Sequence, residues 1–354
     1  MSLFPHVTFA WSASRLLAAP VIVALILAGL PGAAPASAQE SDPLRVVATF
    51  SILGDWVANV GGDRVEVVTI VPAGGDAHTF DPNPEQVASV ADADLIVEIG
   101  AGFEPWLDDM VAASGSGATR VVVSDGLDLI GGADEHEEEA SPDAAHEHAD
   151  KASPEAAHTD HSDEAEDDQG HEHEPGEVDP HIWHDVTNAI ASVETIRTAL
   201  ESADAANAAT YDANASAYTA ELSELDAFIR NETTQLPEDR RKLVTTHDTF
   251  GYFARAYGFE IVGTALNSLT TGSDDPPAQQ IAALVGEIEA SGVPAIFAEN
   301  VSNTDLMESI ADEAGVTLAP SLYTDALGEP GSDGETYVSM MRFNVTTIVT
   351  ALAA

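Results

Sequence analysis

The sequence contains no cysteine among its 354 residues. Disulfide bonds, cysteine nucleophiles, thiolate zinc sites and iron–sulfur clusters are therefore all excluded. The same absence removes the residue that usually carries a lipid after an export signal. We therefore expect any membrane attachment to use an uncleaved signal or a partner protein.

Basic residues are also scarce. The chain has 12 Lys and Arg residues against 61 Asp and Glu residues, which gives a formal net charge of −49. Such a charge repels phosphate backbones and anionic lipid headgroups, so nucleic acid is not an expected partner.

The N-terminal segment has the pattern of an export signal. Arg15 precedes an apolar run at 16–30, and Ala36 and Ala38 form a small-x-small cleavage site. We predict a signal peptide at 1–38 and an exported chain, either periplasmic or extracellular. The apolar run is short for a membrane span, but an uncleaved signal that anchors the chain is an alternative.

An acidic tract at 134–178 interrupts the chain. It holds 18 acidic residues and one basic residue, Lys151, with no large apolar side chain before Val178. Because it cannot bury enough apolar surface to offset its ordering entropy, we predict a disordered insertion. Its seven histidines are His136, His146, His148, His158, His161, His171 and His173. We expect them to hold zinc weakly, and a solvated linker without a metal role is the alternative.

Strands alternate with helices on both sides of this insertion. Runs of strand length rich in β-branched residues lie at 45–50, 65–72, 94–100 and 120–125, and again at 242–247, 259–266, 295–300 and 317–324. The segments between them are mostly helical in pattern. This alternation predicts an α/β protein with two lobes, each a mainly parallel sheet flanked by helices.

The region between the two blocks has no strand signal. It is rich in Ala, Glu and Leu and lacks Gly and Pro from 204 to 234, which predicts one long, rigid helix of roughly 45 Å. The predicted bounds are 39–203 for the first lobe, 204–236 for the linking helix and 237–354 for the second lobe. A continuous helix favours small tilting of the lobes over large hinge closure.

Four histidines lie outside the signal and the insertion. His78 follows a strand in a glycine-rich loop, and His247 ends a strand, where parallel α/β sheets place their ligands. His181 and His184 stand in the stretch DPHIWHD. Alone, each could be a turn, cap or core residue. With Asp325, which follows the last predicted strand, three imidazoles and a carboxylate make a closed tetrahedral set for a divalent metal.

Five motifs carry a family resemblance. In order they are GGDAHTFDPNPEQV, DPHIWHDV, TTHDTFGYFARAYGF, IFAENVSN and SLYTDALG. They resemble the solute-binding proteins of bacterial ABC transporters for zinc and manganese, from about Arg45 to the C-terminus. The resemblance implies a metal between two lobes, with ligands His78 and His181 from the first and His247 and Asp325 from the second. It also implies a membrane permease as the partner.

Two further residues have expected supporting roles. His184 stands where most members of that family have leucine, and we expect it to lie beside the metal site. Glu299, at the end of a predicted strand, either touches the metal or supports a ligand histidine through a hydrogen bond.

The ligand set favours zinc, because imidazole suits zinc and manganese prefers more carboxylate oxygen. Manganese-binding members also commonly have glutamate at the position of His247. We predict a monomeric protein, not an enzyme, that binds Zn²⁺ and delivers it to an ABC permease, with Mn²⁺ as the alternative metal. An adhesin or metal buffer of the same fold is a further possibility.

An exported zinc hydrolase is the alternative from a different class. It would use three histidines and a water, with Asp325 or Glu299 as the base. The sequence contains neither an HExxH nor a GxSxG motif, and a closed four-ligand site favours binding over catalysis.

Overall fold

The computed structural model describes residues 42–131, 178–272 and 276–354. The predicted signal peptide lies outside these ranges, and so does the predicted insertion except for Val178. Asp42–Ala354 forms one compact unit. The bounds of the two lobes therefore stay a prediction.

All strand pairing within the described ranges is parallel, as predicted. The strands are β1 (Leu44–Phe50), β2 (Val65–Val71), β3 (Leu95–Glu98), β4 (Thr119–Val122), β5 (Lys242–Thr245), β6 (Glu260–Thr264), β7 (Ala295–Glu299) and β8 (Thr317–Leu322). The first four form a sheet of order β2-β1-β3-β4, and the others form the pairs β5-β6 and β7-β8. Each observed strand overlaps a predicted one, and the predicted α/β class is confirmed.

Helices follow most of the strands. They are α1 (Ser51–Gly61), α2 (Pro84–Ala91), α3 (Leu107–Ser114), α4 (Val186–Ala203), α5 (Ala208–Thr233), α6 (Gly251–Tyr257), α7 (Ala278–Ser291), α8 (Asp305–Ala314) and α9 (Tyr337–Ala353). None of the helices in the described part of the chain combines the length and the apolar character needed to cross a membrane. Sequence analysis did not predict α4 as a separate helix and missed α9.

Helix α5 lies within the range predicted for the linking helix. Its buried side chains include Tyr211, Tyr218, Leu222, Leu225 and Ile229, spaced three, four or seven residues apart along one face. This face packs against α1, α4 and α9. The helix is therefore held along its length by packing, while its predicted rigidity stays a prediction.

Two hydrophobic clusters support the fold. The larger one joins the first sheet to α4, α5 and α9, so the end of the chain packs into the same core as β1. The smaller one lies around β5, β7, α7 and α8. Hydrogen bonds also join the two halves, because Leu327 N donates to Ser51 Oγ at 2.9 Å and Tyr337 Oη donates to Trp183 O at 2.6 Å.

Candidate metal centre

Three histidines and one aspartate converge in the structure. His78, His181, His247 and Asp325 each offer one ligand atom, and these atoms lie within 4.8 Å of one another. The Nε2 of His181 is 3.3 Å from that of His78 and 3.4 Å from that of His247. Asp325 Oδ2 lies 3.4 Å from His78 Nε2 and 3.2 Å from His247 Nε2. A tetrahedral site with bonds of about 2.0–2.1 Å has edges of roughly 3.3–3.4 Å, so the spacing suits a four-coordinate metal.

His78 is positioned by a tight loop after β2. Asp76 Oδ1 accepts a hydrogen bond from His78 N at 2.9 Å, and Asp76 Oδ2 accepts one from Thr79 Oγ1 at 2.7 Å. Gly74 has a φ of 70°, which favours glycine, and its N donates to Leu327 O at 2.9 Å. The loop is thereby joined to the segment that follows Asp325.

His181 is oriented by a carboxylate two residues earlier. Asp179 Oδ1 accepts from His181 N at 2.9 Å and lies 2.7 Å from the ring Nδ1. With Nδ1 bound in this way, Nε2 faces the other ligands. The indole Nε1 of Trp183 donates to Thr324 O at 2.9 Å, which joins this turn to the residue before Asp325. Sequence analysis missed Asp179, although its place in the stretch DPH was a usable signal.

His247 is oriented by Glu299, which ends β7. Glu299 Oε1 accepts from the backbone N of Thr246 and of His247, each at 2.9 Å. Its Oε2 makes a short contact with the ring Nδ1 of His247. Glu299 therefore supports a candidate ligand and is not itself one of the four converging residues, which is one of the two roles expected for it.

The site is buried and its charges are coupled. His181, His247 and Asp325 are fully buried, and the side chain of His78 is 2% exposed. Burial alone would lower the pKa of His247, but the charges of Glu299 and Asp325 raise it well above its usual range. Burial would likewise raise the pKa of Asp325, but His247 holds it well below its usual range. In the metal-free chain these charges therefore favour the protonated form of His247 and the ionised form of Asp325.

One oxygen of the aspartate is unsatisfied. Asp325 Oδ2 is buried, and no group among the described residues is aligned for a hydrogen bond to it, although the Nε2 atoms of His78 and His247 lie 3.4 and 3.2 Å away. Leaving a buried carboxylate oxygen without a donor is costly. A cation placed among the four ligand atoms would remove that cost.

His184 lies beside this cluster and is not one of its four residues. Its ring is fully buried against Phe250, with ring centroids 4.5 Å apart. Burial lowers the pKa of His184 to about 3, so the imidazole is neutral. The seven histidines predicted as weak loop sites lie outside the described residues.

A cavity of about 370 Å³ borders His78, one of the candidate ligands. Gly102 and Pro180 line it from one half of the chain, and Leu269 and Thr270 line it from the other. One of the four candidate ligands thus borders a cavity to which both halves contribute.

Parallel α/β halves around a buried cluster of three histidines and one aspartate define a cation-binding protein rather than a catalyst with an open metal position. The chain matches the profile of the family described as zinc-uptake complex component A, periplasmic (ZnuA), over residues 46–351, and it belongs to this family. It is a metal-binding solute-binding protein of an ABC transporter and not an enzyme. The predicted family resemblance is confirmed.

Relatives of the chain differ in the metal that their names give. The chain is 33% identical over 334 residues to the manganese-binding lipoprotein MntA of Halalkalibacterium halodurans, covering 94% of this chain and 96% of that protein. It is 27% identical to the manganese ABC transporter substrate-binding lipoprotein PsaA of Streptococcus pneumoniae, covering 88% of this chain and 89% of that protein. The structure of the periplasmic zinc-binding protein TroA from Treponema pallidum superimposes with a TM-score of 0.72 at 28% identity, covering 89% and 100%.

Proposed function

We propose that this chain is an exported zinc-binding protein that captures Zn²⁺ with His78, His181, His247 and Asp325 and delivers it to an ABC-type permease. The observation that carries the proposal is the spacing of three imidazole nitrogens and one carboxylate oxygen, 3.2–3.4 Å along four of their edges. Imidazole-rich, four-coordinate sites suit zinc, whereas manganese prefers more oxygen ligands. The general affinity order of divalent metals also places zinc above manganese.

Manganese is the second candidate cargo, and one feature of the site favours it. Asp325 Oδ1 lies 3.8 Å from His181 Nε2, so the second carboxylate oxygen is also near the ligand nitrogens. Binding through both oxygens would raise the coordination number toward the values that manganese accepts. The names of the relatives MntA and PsaA agree with this alternative.

The acidic, histidine-rich tract is proposed to hold further zinc ions weakly. This part of the proposal rests on composition: seven histidines among 18 acidic residues. A tethered ligand acts at a high effective concentration, so the tract would raise the local zinc concentration beside the first lobe. The tight site is proposed to be independent of it.

Metal analysis of the purified full-length chain tests the assignment. After competition with equimolar Zn²⁺ and Mn²⁺, the unaltered chain should retain one tightly bound zinc ion, and His247→Ala should lose it. The matched control His158→Ala removes one histidine of the tract and should retain the ion. A variant lacking 134–177 should also retain it while losing the weaker ions.

Preferential retention of Mn²⁺ would overturn the choice of zinc. A tight zinc ion retained by His247→Ala would overturn the ligand set, and its loss on deletion of 134–177 would overturn the division into two kinds of site.

A further inference from the structure

Two buried side chains lie behind Asp325 and outside the ligand cluster. Thr249 Oγ1 donates a hydrogen bond to Asp325 Oδ1 at 3.4 Å. The same hydroxyl oxygen lies 3.3 Å from His184 Nε2. His184 and Thr249 are both fully buried, so no bulk water competes for these contacts. The three residues form a hydrogen-bonded chain that ends on the carboxylate.

The direction of the protons in this chain follows from the groups involved. A carboxylate only accepts hydrogen bonds, and a bond to a charged acceptor is the stronger one, so the single proton of Thr249 goes to Asp325. The lone pair of the hydroxyl then faces His184, whose Nε2 must carry the ring proton. The other ring nitrogen of His184, Nδ1, has no hydrogen-bond partner among the described residues, so Nε2 is the nitrogen through which the ring donates.

This chain makes the two oxygens of Asp325 unequal. Oδ2 lies 3.4 Å from His78 Nε2 and 3.2 Å from His247 Nε2, and no group in the described part of the chain is aligned to donate to it. Oδ1 accepts from Thr249 and lies farther from a ring nitrogen, 3.8 Å from His181 Nε2. A donor on Oδ1 competes with a metal for its lone pairs and restrains rotation of the carboxylate.

The number of Asp325 oxygens that bind decides the coordination number of the metal. If only Oδ2 binds, the metal has four protein ligands, which suits zinc. If Oδ1 also binds, the metal has five ligand atoms and one more oxygen, which brings the site closer to the preference of manganese.

We propose that His184 and Thr249 are specificity-determining residues that keep Asp325 bound through Oδ2 alone and so favour Zn²⁺ over Mn²⁺. The inference rests on the proposed function, since it takes the four-residue cluster as the metal site. Both are positioning residues: Thr249 acts on the metal through Asp325, and His184 acts through Thr249.

The test uses the full-length chain with Thr249→Val, which removes the hydroxyl at nearly constant volume, and His184→Leu, which removes the ring donor. Two quantities are measured: the visible absorption of the Co²⁺-loaded protein, which is much stronger for four-coordinate than for five-coordinate cobalt, and the ratio of zinc to manganese affinity. Both variants should weaken the cobalt absorption. Losses of 10–100-fold in metal affinity are typical when a partner of a metal ligand is removed, and in Thr249→Val the loss should fall mainly on zinc, so the zinc-to-manganese ratio should fall.

A conservative variant and a control variant distinguish a positioning role of Thr249 from a general loss of structure. Thr249→Ser keeps the hydroxyl and should restore the spectrum and the affinity ratio. Thr233→Val removes another buried hydroxyl, one that donates to Ile229 O within α5, and should leave both unchanged. Melting of each metal-free variant identifies a chain that does not fold, and in that case the other variant of the pair decides the question.

An unchanged cobalt spectrum and an unchanged affinity ratio in folded Thr249→Val and His184→Leu would overturn the inference, even if both affinities fell together. Failure of the proposed function looks different: in that case His247→Ala would leave the cobalt spectrum of the chain unaltered.

Discussion

Replacement of Glu299 by glutamine tests how far a residue that does not touch the metal controls its binding. Glutamine keeps a carbonyl oxygen that can accept from the backbone N of Thr246 and of His247, as Glu299 Oε1 does at 2.9 Å. The change therefore removes mainly the negative charge behind the ring of His247. A metal on the far side of that ring would lie roughly 6–7 Å from the lost charge.

The size of the effect follows from that separation. Coulomb's law with an effective dielectric constant of about 20 gives roughly 5 kcal/mol between a divalent cation and one charge at this distance. This is an upper limit, because the amide dipole of glutamine replaces part of the field. Losses of 10–100-fold, about 1.4–2.7 kcal/mol, are typical for partners of ligand histidines. We expect the Kd for zinc of Glu299→Gln to rise within this range at pH 7.5.

A second expectation concerns pH. Glu299 is one of the charges that raise the pKa of His247, so in the variant this pKa falls and a proton competes less with the metal. The loss of affinity should therefore shrink as pH falls from 7.5 toward 6. Competition with a chromophoric zinc chelator at several pH values measures this, with the exposed Glu313→Gln on α8 as the control. An unchanged Kd at pH 7.5, or a loss that grows on acidification, would refute the reasoning.

Two further predictions concern protons. Because the pKa of His247 is raised, its ring should be protonated in the metal-free chain at neutral pH, so zinc binding should release about one proton and should weaken on acidification. Calorimetry in buffers of different ionisation enthalpy measures the number of protons released. Equal zinc affinity at pH 5 and pH 7.5 would contradict the prediction. Burial raises the pKa of Glu104 from 4.5 to about 7. The protonated group therefore adds about 3 kcal/mol to the free energy of unfolding below pH 4.5, and this contribution is lost as pH rises through 7. Urea unfolding of the metal-free chain at several pH values measures this contribution. Glu104→Gln should remove most of the pH dependence of the free energy of unfolding, and Glu313→Gln should leave it in place. An equal pH dependence in the two variants would contradict the prediction.

The strands were predictable because their local and tertiary signals agree. Buried parallel strands read as short β-branched runs bounded by turn residues, and β1, LRVVATF, is such a run. The register of these strands brings the loops that follow them to one side of the fold. The predicted place of His78 in a loop after a strand is therefore confirmed, whereas His247, predicted to end a strand, lies two residues beyond the end of β5 at Thr245.

Helix α9 was missed for the opposite reason. Its stretch VTTIVT at 345–350 is rich in β-branched residues, which have lower helix propensity and favour strands. In the structure Val345, Ile348, Val349 and Leu352 are buried along one face, and α9 packs against α5. Tertiary burial here outweighs the local preference.

The residues that support the candidate ligands were only partly predictable. Glu299 lies 52 residues from His247 in the chain, and only its place at a strand end indicated a supporting role. Asp179 lies two residues from His181 and was overlooked, because a carboxylate so near in sequence can equally be a turn residue. Spacing along the chain does not say which ring nitrogen a carboxylate reaches.

The sequence by itself determined the chemistry available to this protein. It offers no thiolate ligands, it is strongly acidic, and outside the signal and the insertion it has four histidines and an aspartate, Asp325, after the last predicted strand. Only the tertiary structure decided which atoms meet. It brings one ligand atom from each of His78, His181, His247 and Asp325 within 4.8 Å of one another, and it places the hydroxyl of Thr249 on Asp325 Oδ1, whereas no group among the described residues is aligned to donate to Oδ2. The physical reason is that coordination depends on differences of about half an ångström, which arise from packed side chains far apart in the chain rather than from residue type.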